Sequence, residues 1–137
     1  MIDFEYKENI QIEKEKLIEL FRSVNWKTAE YPNRLYKAIE NSSYVISAYN
    51  NNELIGLLSA IDDGNINVFL TYLLIKPQYQ KLGIGKKMMS DFCNHYKGFG
   101  RRILTTELDK EDYYKKFGFS IEGIAMFNKD WRNDING

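Results

Sequence analysis

The sequence predicts one α+β domain over residues 1–137, built around a mixed sheet. Three observations predict it. Apolar residues make up 44% and aromatics 15% of the 137 positions, enough for one core of ordinary domain size. Segments with a two-residue apolar period alternate with segments of helical period in the order β-α-α-β-β-β-α-β-α-β. No repeat, linker or low-complexity stretch breaks that series, so every element belongs to the same packed layers.

Taken in order, "FEYKEN" (4–9) alternates apolar and charged residues and predicts a short strand. In "IEKEKLIELFRSV" (12–24), Ile12, Leu17, Leu20, Phe21 and Val24 recur near a helical period and predict an amphipathic helix. Pro32 suits the first turn of a second helix, with Leu35, Ala38 and Ile39 inside. "YVISAY" and "ELIGLLSAI" flank Asn50-Asn51-Asn52 and predict a hairpin, and Asp62-Asp63-Gly64 marks a further turn. "INVFLTYLLI" (66–75) is the longest apolar and β-branched run and predicts a central strand buried on both faces. A helix to about Tyr96 follows, ended by "KGFG". Then "RRILTTEL" (101–108) predicts a strand, "DKEDYYKKF" a short helix and "GFSIEGIAMFNKDW" (118–131) a closing strand pair or hairpin.

Composition narrows the chemistry. Nineteen basic and nineteen acidic side chains cancel, whereas binding nucleic acid through its phosphates requires a basic excess. No apolar run approaches the ~20 residues of a membrane span, and no secretory core follows Met1. Cys93 is the one cysteine and His95 the one histidine. Disulfides, cysteine-rich zinc sites and multi-histidine metal sites are therefore excluded, and a reducing cytoplasm is expected. Chemistry must come from backbone amides, hydroxyls, carboxylates or a bound co-substrate.

The segment "QKLGIGKK" (80–87) lies at a strand-to-helix junction. First-turn amides lack internal partners and carry the positive end of the helix dipole. Gly83 and Gly85 let the backbone approach a ligand, while Lys81, Lys86 and Lys87 add charge, so the segment reads as a diphosphate seat. A Walker loop would need glycine at 80 and Ser or Thr at 87, where Gln80 and Lys87 stand. A dinucleotide fingerprint would need glycine at 88, where Met88 stands.

A third pattern fits. Gln80-Lys81-Leu82-Gly83-Ile84-Gly85 resembles the Q/R-x-x-G-x-G/A signature of the GNAT superfamily of acyl-CoA-dependent N-acetyltransferases. "YLLIKPQY" resembles its strand-then-proline approach, and Tyr114-Lys115-Lys116-Phe117-Gly118-Phe119 its FYxxxGF element. The resemblance implies a single-domain GNAT-like fold, with a mostly antiparallel mixed sheet between helices. It implies acetyl-CoA as co-substrate, no metal, and amides of Leu82, Gly83, Ile84, Gly85 and Lys86 around the pyrophosphate, with Lys81 and the Gln80 side chain close by. The pantetheine arm would pass Leu74 and Ile75 where two strands splay. An amide near Leu74 would hold the thioester carbonyl and the oxyanion of a tetrahedral intermediate.

By the same resemblance, Tyr114 corresponds to the tyrosine that protonates the departing sulfur, with Tyr113 as its substitute. Trp26, Tyr31 and Tyr72 would wall the pocket of a small-molecule or peptide amine. A homodimer is the family's habit. The chain departs from the pattern twice: Thr71 and Tyr72 stand where relatives carry a strand carboxylate, and Glu107 where they carry a CoA-touching asparagine. The base is left open among a water relay, Asp62, Asp63 or Glu107, and an acceptor already partly neutral. A non-catalytic acyl-CoA sensor on the same scaffold is the competing reading.

Overall fold

The computed structural model describes residues 3–132. Its elements are β1 (Glu5–Glu8), α1 (Lys14–Ser23), α2 (Pro32–Glu40), β2 (Tyr44–Asn50), β3 (Glu53–Asp62), β4 (Asn67–Ile75), α3 (Ile84–His95), β5 (Arg101–Ile103) and α4 (Glu111–Lys115). Short 3₁₀ turns at Lys27–Glu30, Pro77–Tyr79 and Leu108–Lys110 join some of them. The sheet runs β1-β2-β3-β4-β5; its first three pairings are antiparallel and β4–β5 is parallel. The mixed, mostly antiparallel sheet between helices is as expected.

Helices form where the apolar spacing lets one stripe be buried. Leu17, Leu20 and Phe21 of α1 and Leu35 and Ile39 of α2 meet Val45, Tyr49, Leu57 and Leu74 on one face of the sheet. On the other face, Ile84, Met88, Met89 and Phe92 of α3 pack on Ile46, Ile55, Leu58, Ala60, Val68 and Leu70. The sheet is thus the middle of three layers. Among the described residues, no helix is long and apolar enough to cross a membrane.

Three expectations need correction. β3, rather than β4, is the strand buried on both faces, because β4 has a full neighbour only on its β3 side. β5 pairs through Arg101, Arg102 and Ile103 alone, so the 101–108 strand is cut short. Residues 119–132 form no strand, so the expected closing strand pair is not present among the described residues.

The β3–β4 ladder carries a bulge that matters for the site. Ser59 is opposite Tyr72 and Ala60 opposite Leu70, leaving Thr71 unmatched. An extra residue shifts the side-chain phase by one. Val68 and Leu70 therefore face α3, whereas Tyr72 and Leu74 face α1. The Thr71 hydroxyl donates to the Ser59 carbonyl at 3.0 Å and pairs with the Ser59 hydroxyl at 2.7 Å, fixing the bulge from inside.

Candidate acyl-transfer site

β4 and β5 stay together only from Asn67 to Phe69, opposite Arg101 to Ile103. Among the described residues, the β5 side of β4 has no strand partner beyond Phe69, which leaves a wedge beside the end of the strand. The amide of Lys76 donates to the Ile55 carbonyl at 2.8 Å. Amides alternate sides along an antiparallel strand, so the Leu74 amide also faces β3, where Leu57 is its register partner. The amides turned toward the wedge are those of Leu73 and Ile75. The expected donor, an amide near Leu74, is thus offered by Leu73 or Ile75, while the Leu74 side chain is buried against α1. The Ile75 carbonyl, on the wedge side, receives the Gln80 Nε2 at 3.0 Å. Gln80 therefore braces the strand end from within the loop.

The loop after β4 takes two left-handed residues, Lys81 (φ 65°) and Gly83 (φ 90°). Lys81 has a β-carbon, and an L-residue held there costs about 1–2 kcal/mol. Gly83 caps α3 without a side-chain hydrogen bond, and the first turn of α3 holds no acidic residue. Among the described residues, no protein group accepts from the amides of Lys81, Leu82, Gly83, Ile84, Gly85 or Lys86; the first helical bond runs from Lys87 to Gly83 at 3.0 Å. A row of free donors at the positive end of a twelve-residue helix suits a diphosphate. The side chains of Lys81 and Lys86 are exposed beside it, whereas Lys87 is held by Asp91 at 2.7 Å.

Ile84 and Gly85 turn inward. A β-carbon on Gly85 would stand 3.0 Å from the Tyr113 hydroxyl and 3.2 Å from Ile75 Cδ1. Gly85 is therefore tightly enclosed by α4 and β4, where a side chain larger than a methyl group would crowd Tyr113 and Ile75. Tyr113 and Tyr114 cross edge to face at 5.1 Å and both pack on the α3-side core, as do Leu73 and Ile75. Burial, and secondarily Tyr113, push the Tyr114 hydroxyl above its ordinary pKa, so it stays protonated through neutral pH.

The three residues assigned to an acceptor pocket separate. Tyr72 meets Trp26 at 5.9 Å, and both meet Phe21, at 5.0 and 5.9 Å. Together they make an aromatic wall on the α1 side of β4. Tyr31 is buried elsewhere: its hydroxyl donates to the Trp131 carbonyl at 2.8 Å and its ring faces the Trp131 ring at 5.1 Å. It is a clamp for the C-terminal segment, a role with no signal in the local sequence. A groove of about 560 Å³ between α2 and the β1–α1 connection includes none of the assigned residues.

The carboxylate candidates are distributed unevenly. Asp63 accepts the amides of Asn65, Ile66 and Asn67, and these hold its carboxyl well below the usual carboxylate range. Asp62 accepts the Tyr96 hydroxyl at 2.8 Å. Asp62 ends β3 and Asp63 begins the β3–β4 turn, at the end of β4 away from the glycine loop. Glu107 is exposed ahead of α4. Among the described residues, no group of three His, Cys, Asp or Glu is placed to hold a metal ion. Burial pushes the Cys93 thiol pKa above its ordinary value, which disfavours the thiolate at neutral pH. His95 stacks on Tyr44 at 3.9 Å at the surface.

One buried cation was not expected. Lys76, 4% exposed, reaches Glu53 at 2.9 Å and Glu19 at 3.2 Å. Tyr79 donates to the same Glu53 at 3.0 Å. This network ties the exit of β4 to α1 and β3, and so fixes where the glycine loop begins.

A three-layer domain whose sheet opens beside a helix start with unpaired amides offers donors of the kind that suit a phosphate-bearing ligand. The profile of the Acetyltransferase (GNAT) family matches residues 11–119, and the chain belongs to that family. An uncharacterized N-acetyltransferase, ycf52, of Pyropia yezoensis is 30% identical over 136 residues, covering 94% of this chain and 77% of its own length. A GNAT family acetyltransferase of Streptococcus pneumoniae superposes with a TM-score of 0.79 at 26% identity, over 93% of this chain and all of that one. The aminoglycoside N-acetyltransferase AAC(6′)-Iy, solved with CoA, shares the fold at a TM-score of 0.69 and 15% identity, covering 95% of this chain and 96% of that one.

Proposed function

We propose that this chain moves the acetyl group of acetyl-CoA directly onto a primary amine carried by a small molecule or a peptide. The observation that carries the reading is the run of unpaired amides from Lys81 to Lys86 beside the β4–β5 wedge. The co-substrate supplies an activated thioester. The chain supplies the rest. Amides 81–86 with Lys81 and Lys86 would seat the diphosphate, and the Leu73 or Ile75 amide would donate to the carbonyl oxygen as it gains charge, a contact worth ~3 kcal/mol. Holding amine and thioester in line contributes more, on the order of 7–11 kcal/mol.

The amine nitrogen bonds to the acyl carbon, a tetrahedral adduct forms, and the carbon–sulfur bond breaks. Tyr114, kept protonated by burial, gives its proton to the departing sulfur. The proton on the amine leaves to water, since β4 carries no carboxylate and Asp63 is engaged in its turn, and water returns a proton to Tyr114. Trp26 and Tyr72 would line the acceptor side. Lone, half-buried Cys93 fits a reducing cytoplasm.

The absence of a carboxylate on β4 also favours a second reading, an acyl-CoA sensor without turnover. A screen of amines that reports free CoA, with a no-amine control, separates the two. Amine-dependent CoA release establishes transfer. Tight acetyl-CoA binding without release for any amine would establish the sensor instead, and no binding would remove both.

A further inference from the structure

Two hydroxyls meet in the β3–β4 bulge, those of Ser59 and Thr71, 2.7 Å apart. Ser59 is fully buried and Thr71 half-buried. Each carries one proton, and both protons are engaged within the pair. Thr71 donates to the Ser59 carbonyl at 3.0 Å, so the short contact between the hydroxyls is a bond from Ser59 to Thr71. What remains is lone pairs, of which every hydroxyl oxygen has two. Among the described residues, no other side chain donates to either oxygen. The pair can accept a further hydrogen bond and cannot give one.

The face on which the pair lies follows from the ladder. Along β3, Leu57 packs on the α1 side, while Leu58 and Ala60 pack on the α3 side. Ser59 alternates with these neighbours, which puts its side chain on the α1 side. Its register partner is Tyr72, whose ring meets those of Trp26 and Phe21. An oxygen that only accepts thus stands beside an aromatic wall. Two residues further along β4 is Leu73, whose amide faces the wedge. Two residues of strand span about 7 Å, short enough for an amine held at Thr71 to meet a carbonyl held at Leu73.

We propose that the Thr71 hydroxyl, oriented by Ser59, seats the nitrogen of the acceptor, and that the acceptor is a primary amine on a flat apolar body. The inference deepens the acyl-transfer reading and rests on it for the position of the thioester. A neutral primary amine that gives one N–H to Thr71 keeps its lone pair free for the acyl carbon. The pair orients this nitrogen and takes no proton from it, because an alcohol is too weak a base at neutral pH; water remains the proton's destination. The ring wall covers the body of the molecule, since aromatic surfaces pack on one another. β4 has no carboxylate to meet a second or third positive charge, so a polycation gains nothing here.

The probe is phenethylamine, titrated by calorimetry into the chain saturated with CoA, which has no acyl group to transfer. Hydrocinnamate has the same body and a head that only accepts, and it should not bind. Thr71→Val should weaken the amine about tenfold, as the loss of one charge-assisted hydrogen bond does, and leave CoA affinity unchanged. Thr71→Ser, which keeps the hydroxyl, should bind as the parent does. Should Thr71→Val fail to fold, a crystal of the parent with CoA and phenethylamine decides. Nitrogen within hydrogen-bond distance of Thr71 Oγ1 supports the seat, and nitrogen elsewhere overturns it. Failure of phenethylamine to bind overturns the proposal, as do equal affinities for the two probes or for the parent and Thr71→Val. Equal losses of amine and CoA affinity overturn it too, because Thr71 would then only support the bulge. Phenethylamine bound at Thr71, with no CoA released from acetyl-CoA, would refute transfer and leave the seat standing.

Discussion

The hydroxyl of Tyr113 lies 3.0 Å from the point where a β-carbon on Gly85 would stand, and Ile75 Cδ1 lies 3.2 Å from it. Both neighbours are ends of side chains, so a methyl group can be accommodated by small shifts. Alanine in a helix also gains about 0.5–1 kcal/mol over glycine, which offsets the crowding. Gly85→Ala should therefore stay within about 1 kcal/mol of the parent. Gly85→Val adds two more carbons and should lose roughly 1–3 kcal/mol in urea unfolding. Its acetyl-CoA affinity, by calorimetry, should fall as well, because the amides of 84–86 shift with the backbone. Adding Tyr113→Phe removes the nearest atom and should restore part of the loss; equal losses with and without Tyr113→Phe would show that Tyr113 is not the obstacle.

Tyr114→Phe keeps the ring against the core and deletes one proton. The turnover number should drop about 100-fold, with acetyl-CoA affinity unchanged. Because burial raises the Tyr114 pKa, the parent rate should not decline on the alkaline side until the pH exceeds the ordinary tyrosine value. A decline below that value, shared by Tyr114→Phe, would assign the titration to another group.

The Lys76 network makes a prediction about pH. The Lys76 hydrogen bond, followed by that from Tyr79, lowers the Glu53 pKa against an opposing desolvation. Burial pulls the Lys76 pKa down, but its bonds to Glu53 and Glu19 outweigh this and the net shift is upward. For Glu53, folded below unfolded, the stabilisation is complete above the unfolded value of 4.5 and fades as pH falls toward the folded one. For Lys76 the stabilisation holds below 10.5 and is lost above it. Glu53→Gln should cost about 1–3 kcal/mol at pH 7, less than a fully buried pair because Glu53 faces water on one side. Its thermal midpoint should also depend less on pH between 5 and about 3 than the parent's; parallel curves would sink this account.

Much of the architecture is written in local pattern. The stripes of α1, α2 and α3, the β2–β3 hairpin and the glycine-capped start of α3 follow from spacing within a few residues. Features set by pairing across the sheet are not. The bulge at Thr71 and the direction of the Leu74 amide depend on register against Ser59 and Leu57, and neither leaves a trace in "LTYLL". Tyr31 finds Trp131 a hundred residues away, so its ring could not be told from a pocket wall. Lys76 reads as a solvated lysine until Glu19 and Glu53 are brought around it. The strand pattern of 119–127 is legible, but among the described residues no strand forms there.

Trp26 gives the prediction that separates acceptor from co-substrate. Its ring is held by Phe21 and Tyr72, all within 6 Å of one another, yet it remains partly exposed at the α1 end of the wall. Removing it strips aromatic surface from the proposed acceptor side and leaves the amides of 81–86 untouched. Trp26→Ala should raise the KM of the best amine from the screen about tenfold, the equivalent of ~1.4 kcal/mol, and leave the KM of acetyl-CoA alone. Trp26→Phe, which preserves a ring beside Tyr72, should recover most of the difference. Equal rises in both KM values would instead mean that Trp26 supports α1 and the β4 strand as a whole, since a general loosening cannot distinguish the two substrates.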